Sequence, residues 1–301
     1  KKGVLDGNVV IAGGGDPALG SEYFREHYGD VTDAWVQALK DAGVRRVRGR
    51  VAAAESIYDF SPAPDGWAWG DLGYYYGAGV YDININDNKY NIYITGRSEG
   101  EPAVIDSTEE YGQGINITNY LVSSGKSNRS DIFIAPYSTM AWITGSVPAD
   151  SSVVLRTSIP DPPMALVGRL DAAIRAAGID VDGDPSPERV AFEGNRFVRL
   201  AETASPPLAE IIKVTNHESV NMYAEAIRKH LGYEILGEGT FSAGSAVIRH
   251  FLDSIGCEPY EAVILDGSGL SSNNNISALM TVRLLVHMNN SSFSEAFVSS
   301  L

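Results

Sequence analysis

The sequence predicts an α/β (α+β) protein that carries an inserted, small all-β module. Two observations support this fold class. An amphipathic helical pattern that ends in Gly and continues into a β-type run occurs twice, as DAGVRRVRG and as AAGIDVDG. Between these two copies, residues 79–157 change to short β-type runs separated by Asn, Ser, Thr and Gly. The copies on either side of the module are therefore expected to pair within one α/β domain.

Composition narrows the function classes. The 301 residues are 44% apolar, with a net charge of −15 and a pI near 4.7. This acidity argues against nucleic acid or an anionic membrane as partner, and no apolar run approaches the roughly 20 residues of a membrane helix. A single cysteine, Cys257, excludes an intramolecular disulfide and is interpreted as a packing residue. The scattered histidines lack metal-ligand spacing, so we predict no zinc site.

Four elements are predicted before the aromatic residues near position 70. Residues 4–12 are predicted to form a strand, and GGGDPALG then forms a turn that leads to a helix. Residues 31–43 have the apolar periodicity of a helix that ends at Gly43. Val44–Val51 alternates like a strand whose arginines face solvent.

Residues 65–80, DGWAWGDLGYYYGAGV, form what we call the aromatic segment. Aromatic side chains with a polar group suit either a sugar site or a junction between domains, and we favour the junction. Strands are then predicted at ININ, YNIYIT, INITNYLV, DIFIAP and SVVLRTSI. Pro160, Pro162 and Pro163 mark the end of the β module.

Beyond the module, residues 164–177 are predicted to be helical, followed by strands at RVAF and FVRLAET. Two further helical patterns fill 204–231, and helices follow at 243–255 and at 278–288, the latter capped by Ser277. A short strand, AVILDG, separates these last two helices. The predicted domains are 1–78 with 158–203, the β module 79–157, and a third part at 204–301.

A polar break interrupts the two helical patterns of 204–231. It contains Ser219 and Asn221 at the expected entrance of the second helix. Ser and Asn are preferred helix caps, so a purely structural role is one interpretation. The other is that the hydroxyl and the amide point together into one cleft.

The surrounding residues favour the second interpretation. SPPLAEIIKVTNHESVNMYAEAI resembles the second active-site motif of D-alanyl-D-alanine carboxypeptidases/endopeptidases of the penicillin-binding protein 4 type, peptidase family S13. Four other stretches resemble the same family in the same order: VIAGGGDPALG, DGWAWGDLGYYYGAGV, SIPDPPMAL and LDGSGLSSNNNIS. The resemblance implies that 204–301 is a portion of a DD-peptidase catalytic domain and that the remainder is an insert.

The resemblance also implies chemistry. Ser219 would relay a proton toward the leaving group, and Asn221 would orient the substrate amide. Asp266, Gly267, Ser268 and Ser271 would form a substrate-binding wall beside them. The implied partners are peptide stems of peptidoglycan and β-lactams, and the implied location is the periplasm or cell envelope. The resemblance implies no metal and no organic cofactor, and it does not indicate the oligomeric state.

Two family elements are missing. Family order places Ser-x-x-Lys before residue 1 and Lys-Thr-Gly after residue 301, and the chain begins Lys1-Lys2-Gly3, so we expect a piece of a longer protein. The one formal match, Ser123 to Lys126, is expected in a turn, whereas the motif needs a helix to bring both side chains to one face. His217 lacks an evident carboxylate partner that would make it a base.

The resemblance thus implies a serine-type D-Ala-D-Ala carboxypeptidase/endopeptidase that works through an acyl-enzyme, with this chain carrying only the Ser-x-Asn motif. Two alternatives stay open. One is an inactive relative that binds peptidoglycan, and the other is a structural envelope domain in which residues 219 and 221 act only as caps.

Overall fold

The computed structural model describes residues 3–186 and 197–301. Its first part alternates short strands and helices. These elements are β1 (Val4–Leu5), β2 (Val9–Ala12), α1 (Arg25–Tyr28), α2 (Val31–Asp41), β3 (Arg46–Val47) and β4 (Val51–Ala54). Helix α2 begins where predicted because the Asp30 carboxylate accepts hydrogen bonds from the backbone N–H groups of Thr32 and Asp33.

The two strands predicted in this part are each broken in two. The breaks lie side by side, at Gly7–Asn8 and at Gly49–Arg50. Gly49 N donates to Gly7 O, and Asn8 Oδ1 accepts from Arg50 N at 3.0 Å. A Cβ at Gly49 would overlap both neighbours, so the close crossing requires glycine there. Continuous strand predictions for 4–12 and 44–51 were therefore wrong at their centres.

The middle of the chain is rich in strands. They are β5 (Lys89–Thr95), β6 (Val104–Thr108), β7 (Asn116–Asn119), β8 (Val122–Ser123), β9 (Arg129–Ile134), β10 (Met140–Val147) and β11 (Ser152–Ser158). Strands β11, β5 and β6 form one antiparallel sheet. In the other sheet, β10 pairs in parallel with β7 and β8 and antiparallel with β9.

The strand predicted at ININ does not form. Ile83 and Ile85 are buried, but asparagine side chains close turns around them: Asn84 Oδ1 accepts from Tyr81 N, and Asn88 Oδ1 accepts from Ile85 N. Residues 86–88 all have positive φ, between 50° and 54°. Local side-chain hydrogen bonds thus replace the ladder that the alternation suggested.

The chain then returns to the parallel strands through α3 (Pro162–Ala176) and β12 (Asp180–Val181). Asp161 caps α3, and Pro162 suits its first turn because the proline lacks an N–H that would be unpaired there. Strand β12 pairs in parallel with β3 at Asp180↔Arg46. This pairing confirms the prediction that the two helix–Gly–strand copies come together.

The stretch after the second copy is not a strand. FVRLAET, residues 197–203, has no regular structure and is held instead by Trp35, whose indole N–H donates to Thr203 Oγ1 at 2.9 Å. The strand predicted at RVAF lies outside the described residues.

One apolar cluster runs from the parallel strands into both strand-rich sheets. It includes Ile11 of β2, Ile92 of β5, Ile143 of β10 and Leu166 of α3. The core of the helix–strand part is therefore continuous with that of the middle part.

The remaining chain is mainly helical. Its elements are α4 (Leu208–His217), α5 (Asn221–Leu236), α6 (Phe241–Ser254), β13 (Ala262–Val263), β14 (Asn275–Ile276), α7 (Ala278–Asn289) and α8 (Ser294–Ser299). The predicted helices at 243–255 and 278–288 are confirmed as α6 and α7, and Ser277 Oγ accepts from Met280 N as its cap. Within 3–186 and 197–301, no helix is long and apolar enough to cross a bilayer.

Helix α5 is the central helix of this part. Tyr223 and Met222 on α5 pack with Tyr58 in a second apolar cluster. Lys229 is fully buried and donates to Asp59 Oδ1 at 2.6 Å, above the ring of Phe241. These contacts hold α5 against the segment that precedes the aromatic segment.

Candidate functional site

A turn of three residues joins α4 to α5 and carries Ser219. Ser219 has a φ of +55°, in the left-handed region that side chains with a Cβ disfavour. Its side chain is exposed and makes no hydrogen bond to another described residue. A strained backbone with a free hydroxyl is typical of a functional site, since a purely structural turn would favour glycine.

The cap interpretation is wrong for both polar residues. The residue that precedes the first turn of α5 is Val220, and no side chain caps this helix end. Asn221 is already helical, and its Nδ2 donates to the backbone oxygen of Tyr76 at 2.8 Å. The amide is thereby fixed against the aromatic segment, half-buried at the start of α5.

The Ser219 turn is one wall of the candidate site, and the loop 265–271, which follows β13, is the other. Asp266 is 3% exposed, and its carboxylate accepts hydrogen bonds from Gly269 N at 2.8 Å and Ser271 N at 2.5 Å. Asn274 Nδ2 and Trp67 Nε1 also donate to it, at 2.5 and 3.1 Å. One buried carboxylate therefore determines the shape of the loop.

Asp266 and Ser271 face the protein interior, whereas Gly267 is exposed and Ser268 is half-buried. Of the predicted wall residues, Gly267 and Ser268 are thus the two on the accessible side. Asp266 and Ser271 are in place to position the loop.

Glu225 joins the loop to α5. Its Oε1 accepts from Gly267 N at 2.7 Å and from Ser268 N at 2.8 Å, and its Oε2 contacts Arg228 at 3.1 Å. Burial raises the pKa of this carboxyl, and the charge of Arg228 and the two N–H donors oppose that rise. Because Glu225 lies one helical turn after Asn221, the same face of α5 holds the amide and the loop.

The aromatic segment contacts both walls. Trp67 donates to Asp266, a Cβ on Gly66 would press against Ser271, and the backbone of Tyr76 receives the Asn221 amide. The segment also reaches β9, where Tyr74 Oη donates to Asp131 at 2.8 Å. It lies between the α5 end, the 265–271 loop and the strand-rich middle part.

The formal Ser-x-x-Lys match is in a turn, as expected. Ser123 ends β8, and its buried Oγ accepts from Arg97 N at 2.7 Å. Gly125 has a φ of +73°, and its N–H donates to Glu99. Lys126 is therefore not one helical turn from Ser123.

Neither a histidine–carboxylate pair nor a metal-binding group is found at this site among the described residues. His217, the last residue of α4, is exposed and has no carboxylate partner among the described residues. Within those same ranges, no group of three His, Cys, Asp or Glu side chains is arranged to hold a metal ion.

Sequence reasoning missed Glu225, Arg228 and Tyr76. A signal for the first two was present, because Glu225 and Arg228 are charged residues among the apolar positions of α5, and buried charges need partners. No sequence signal indicates Tyr76, since its contribution is a backbone oxygen.

Comparison with known proteins gives consistent results. A sequence model of the D-Ala-D-Ala carboxypeptidase 3 (S13) family matches residues 1–301. The D-alanyl-D-alanine carboxypeptidase of Actinomadura sp. (strain R39) is 29% identical over 98% of this chain and 55% of its own length. The D-alanyl-D-alanine carboxypeptidase DacB of Haemophilus influenzae is 19% identical over 96% of this chain and 59% of its own. This chain thus spans somewhat more than half the length of these relatives.

The fold is similar to solved structures. The crystal structure of penicillin binding protein 4 (dacB) from Haemophilus influenzae superposes with a TM-score of 0.78, at 18% identity, over 99% of this chain and 64% of that chain. The same protein complexed with a novel beta-lactam gives a TM-score of 0.75 at 18% identity, over 99% of this chain and 62% of that one. The predicted penicillin-binding-protein-like α/β fold is confirmed.

Proposed function

The chain belongs to the D-Ala-D-Ala carboxypeptidase 3 (S13) family, and we propose that it is part of a serine-type D-Ala-D-Ala carboxypeptidase/endopeptidase. The proposed substrate is the peptide stem of peptidoglycan in the periplasm or cell envelope, and penicillins would acylate the same centre. In this proposal residues 204–301 contribute to the catalytic domain. Residues 1–78 with 158–203 form an inserted domain, and 79–157 form its β module.

The observation that carries the proposal is the Ser219 turn. A left-handed serine with a free hydroxyl is followed two residues later by an amide anchored on Tyr76 O. The strained backbone of Ser219 is not compensated by a hydrogen bond from its side chain. Its hydroxyl is therefore available for a ligand.

The roles follow from the contacts. Ser219 relays a proton toward the leaving group. One N–H of the Asn221 side chain is bound to Tyr76 O, so its other N–H or its Oδ1 hydrogen-bonds to the substrate amide. Exposed Gly267 and half-buried Ser268 form the opposite wall. Glu225 and Asp266 position that wall from beneath, because both carboxylates are buried and accept hydrogen bonds from the loop backbone.

The nucleophile of the acyl-enzyme is not among these residues in this proposal. The sequence contains one Ser-x-x-Lys, in the turn at Ser123–Lys126, and no Lys-Thr-Gly. Acyl transfer needs a serine beside a group that removes its proton, and neither Lys126 nor His217 is placed to serve Ser219.

Intact mass spectrometry with a labelled penicillin tests the proposal. We expect no covalent adduct on the 301-residue chain, and one adduct per molecule on the longer protein that also contains Ser-x-x-Lys. In that protein Ser219→Ala should slow acylation about 100-fold, whereas Ser254→Ala, which removes an exposed hydroxyl of α6, should leave the rate unchanged.

A stoichiometric adduct on the 301-residue chain would show that the nucleophile lies within it. A longer protein that folds but is not acylated would favour an inactive peptidoglycan-binding relative. Equal rates for the two serine variants would contradict the role of Ser219.

A further inference from the structure

Three aromatic rings form an exposed surface that the proposed peptidase chemistry does not use. We call Trp69, Phe133 and Trp142 the aromatic platform. The rings of Phe133 and Trp142 stack with centroids 5.4 Å apart and planes 17° apart, and Trp69 lies 6.5 Å from Trp142. Trp69 is 49% exposed and Trp142 is 39% exposed. Large rings that remain half in water often mark a binding surface.

The platform lies on the outer face of the sheet formed by β7, β10, β9 and β8. In β10 the neighbours of Trp142, Ala141 and Ile143, are buried on the inner face, so Trp142 points outward. Phe133 is directly opposite it in β9. The outward position of both rings is thus set by strand register.

Polar side chains flank the platform on the same face. Thr144 pairs with Asp131, and Ser146 pairs with Arg129, along the β10–β9 ladder. Thr118 of β7 is opposite Trp142 on the other side. Hydroxyl, carboxylate and guanidinium groups therefore share this face with the flat apolar rings, and the Asp131 carboxylate also accepts from Tyr74 Oη.

Trp69 connects this face to the candidate site. It belongs to the aromatic segment, which packs tightly on β9: a Cβ on Gly73 would overlap the backbone oxygen of Ile132. The same segment supplies Trp67 to Asp266 and the Tyr76 oxygen to Asn221. The platform and the proposed peptide cleft are thus built on one continuous stretch of chain.

We propose that the aromatic platform binds sugar rings of a β-linked, N-acetylated glycan strand. A pyranose ring has an apolar C–H face that stacks on an aromatic ring and a rim of hydroxyl and acetamido groups that hydrogen-bond to polar neighbours. Stacked rings with a polar border match both features. The choice of glycan rests on the proposed function, because peptidoglycan stem peptides are attached to such a strand.

Other stacking ligands fit less well. Nucleic acid bases also stack on aromatic rings, but a protein with a net charge of −15 repels their phosphates. A neutral oligosaccharide is not subject to that repulsion.

The test is titration of the 301-residue chain with the hexamer of β-1,4-linked N-acetylglucosamine, followed by tryptophan fluorescence and calorimetry. We expect saturable binding. Trp142→Ala should weaken it about tenfold, a change of about 1.4 kcal/mol, and Trp69→Ala should weaken it several-fold. Tyr260→Ala, which removes an exposed ring near β13, should bind like the wild type. Cellohexaose, which lacks the acetamido groups, should bind more weakly than the N-acetylated hexamer.

Trp142 also stacks on Phe133, so near-ultraviolet circular dichroism must show that its variant is folded. If it is not, Trp69→Ala alone decides the question. Absence of binding, or unchanged affinity in the folded tryptophan variants, would overturn the proposal. Binding to the 301-residue chain but not to the longer protein would also overturn it, because the platform would then pack against another part of that protein.

These outcomes are separable from those of the peptidase proposal. Acylation by penicillin without glycan binding would overturn only the proposal that the aromatic platform binds glycan. Glycan binding without acylation would overturn only the peptidase.

Discussion

The two walls of the candidate site are held in opposite ways. The 265–271 loop has four of its backbone N–H groups bound internally, because Asp266 and Glu225 accept hydrogen bonds from them. The Ser219 turn has a strained backbone and leaves its hydroxyl without a partner among the described residues. The first wall is thus built for rigidity, and the second keeps a hydroxyl accessible.

This difference indicates where stability and function separate. A buried carboxylate that accepts several hydrogen bonds, such as that of Asp266, is costly to remove and cannot easily contact a substrate. A free hydroxyl on a left-handed residue contributes little to stability, and the proposal above gives that hydroxyl a functional role. Substitutions in the two walls should therefore have different consequences.

The largest expected effect is at Asp266. Asp266→Ala leaves Gly269 N, Ser271 N and the Trp67 indole N–H without their acceptor, so we expect the free energy of unfolding to fall by about 4 kcal/mol. Urea denaturation measures this. Asp253→Ala, at an exposed position of α6, should change it by less than about 0.5 kcal/mol.

An Asp266→Ala loss no larger than that of the exposed control would contradict this comparison. It would mean that the loop keeps its shape through Glu225 alone. A crystal structure of the variant would then show whether Gly267 and Ser268 remain in place.

Local sequence signals were sufficient for much of the fold. Helices α2 and α3 and the Ser277 cap of α7 were predicted because caps, proline and glycine act within a few residues. The strand predicted at ININ failed because asparagine side chains compete with the backbone ladder, which alternation alone does not reveal.

The site was less predictable than the fold. Ser219 and Asn221 were identified from a motif, but the left-handed backbone of Ser219 was not, since serine rarely adopts it. Contacts such as Asn221 with Tyr76 O join residues far apart in the sequence, and a backbone acceptor leaves no trace in residue identity.

A smaller effect, with a definite pH dependence, is expected at Glu225. Burial raises the pKa of its carboxyl, so between the ordinary Glu pKa and the raised value the folded chain holds a proton that the unfolded chain has released. Relative to Glu225→Gln, the wild-type free energy of unfolding should therefore be highest at acidic pH and decrease as pH rises through the folded pKa. Denaturation of both proteins across a pH series measures this difference.

The opposite slope would show that Arg228 and the two loop N–H donors outweigh burial. Glu210→Gln is a suitable control, because Glu210 is exposed on α4 and forms no ion pair with another described residue.

The smallest expected change in stability, and the sharpest separation of the two walls, is at Ser219. A residue with a Cβ costs about 1–2 kcal/mol in the left-handed region, and glycine loses about 0.5–1 kcal/mol more backbone entropy on folding. Ser219→Gly should therefore raise the free energy of unfolding by about 0.5 kcal/mol.

Ser219→Ala keeps the backbone strain and should leave the free energy of unfolding nearly unchanged. In the longer protein both variants lose the hydroxyl, so both should be acylated slowly. Stability and activity would then move in opposite directions in the glycine variant. If both variants instead unfold more easily than the wild type, the hydroxyl holds the turn, and the second wall is structural like the first.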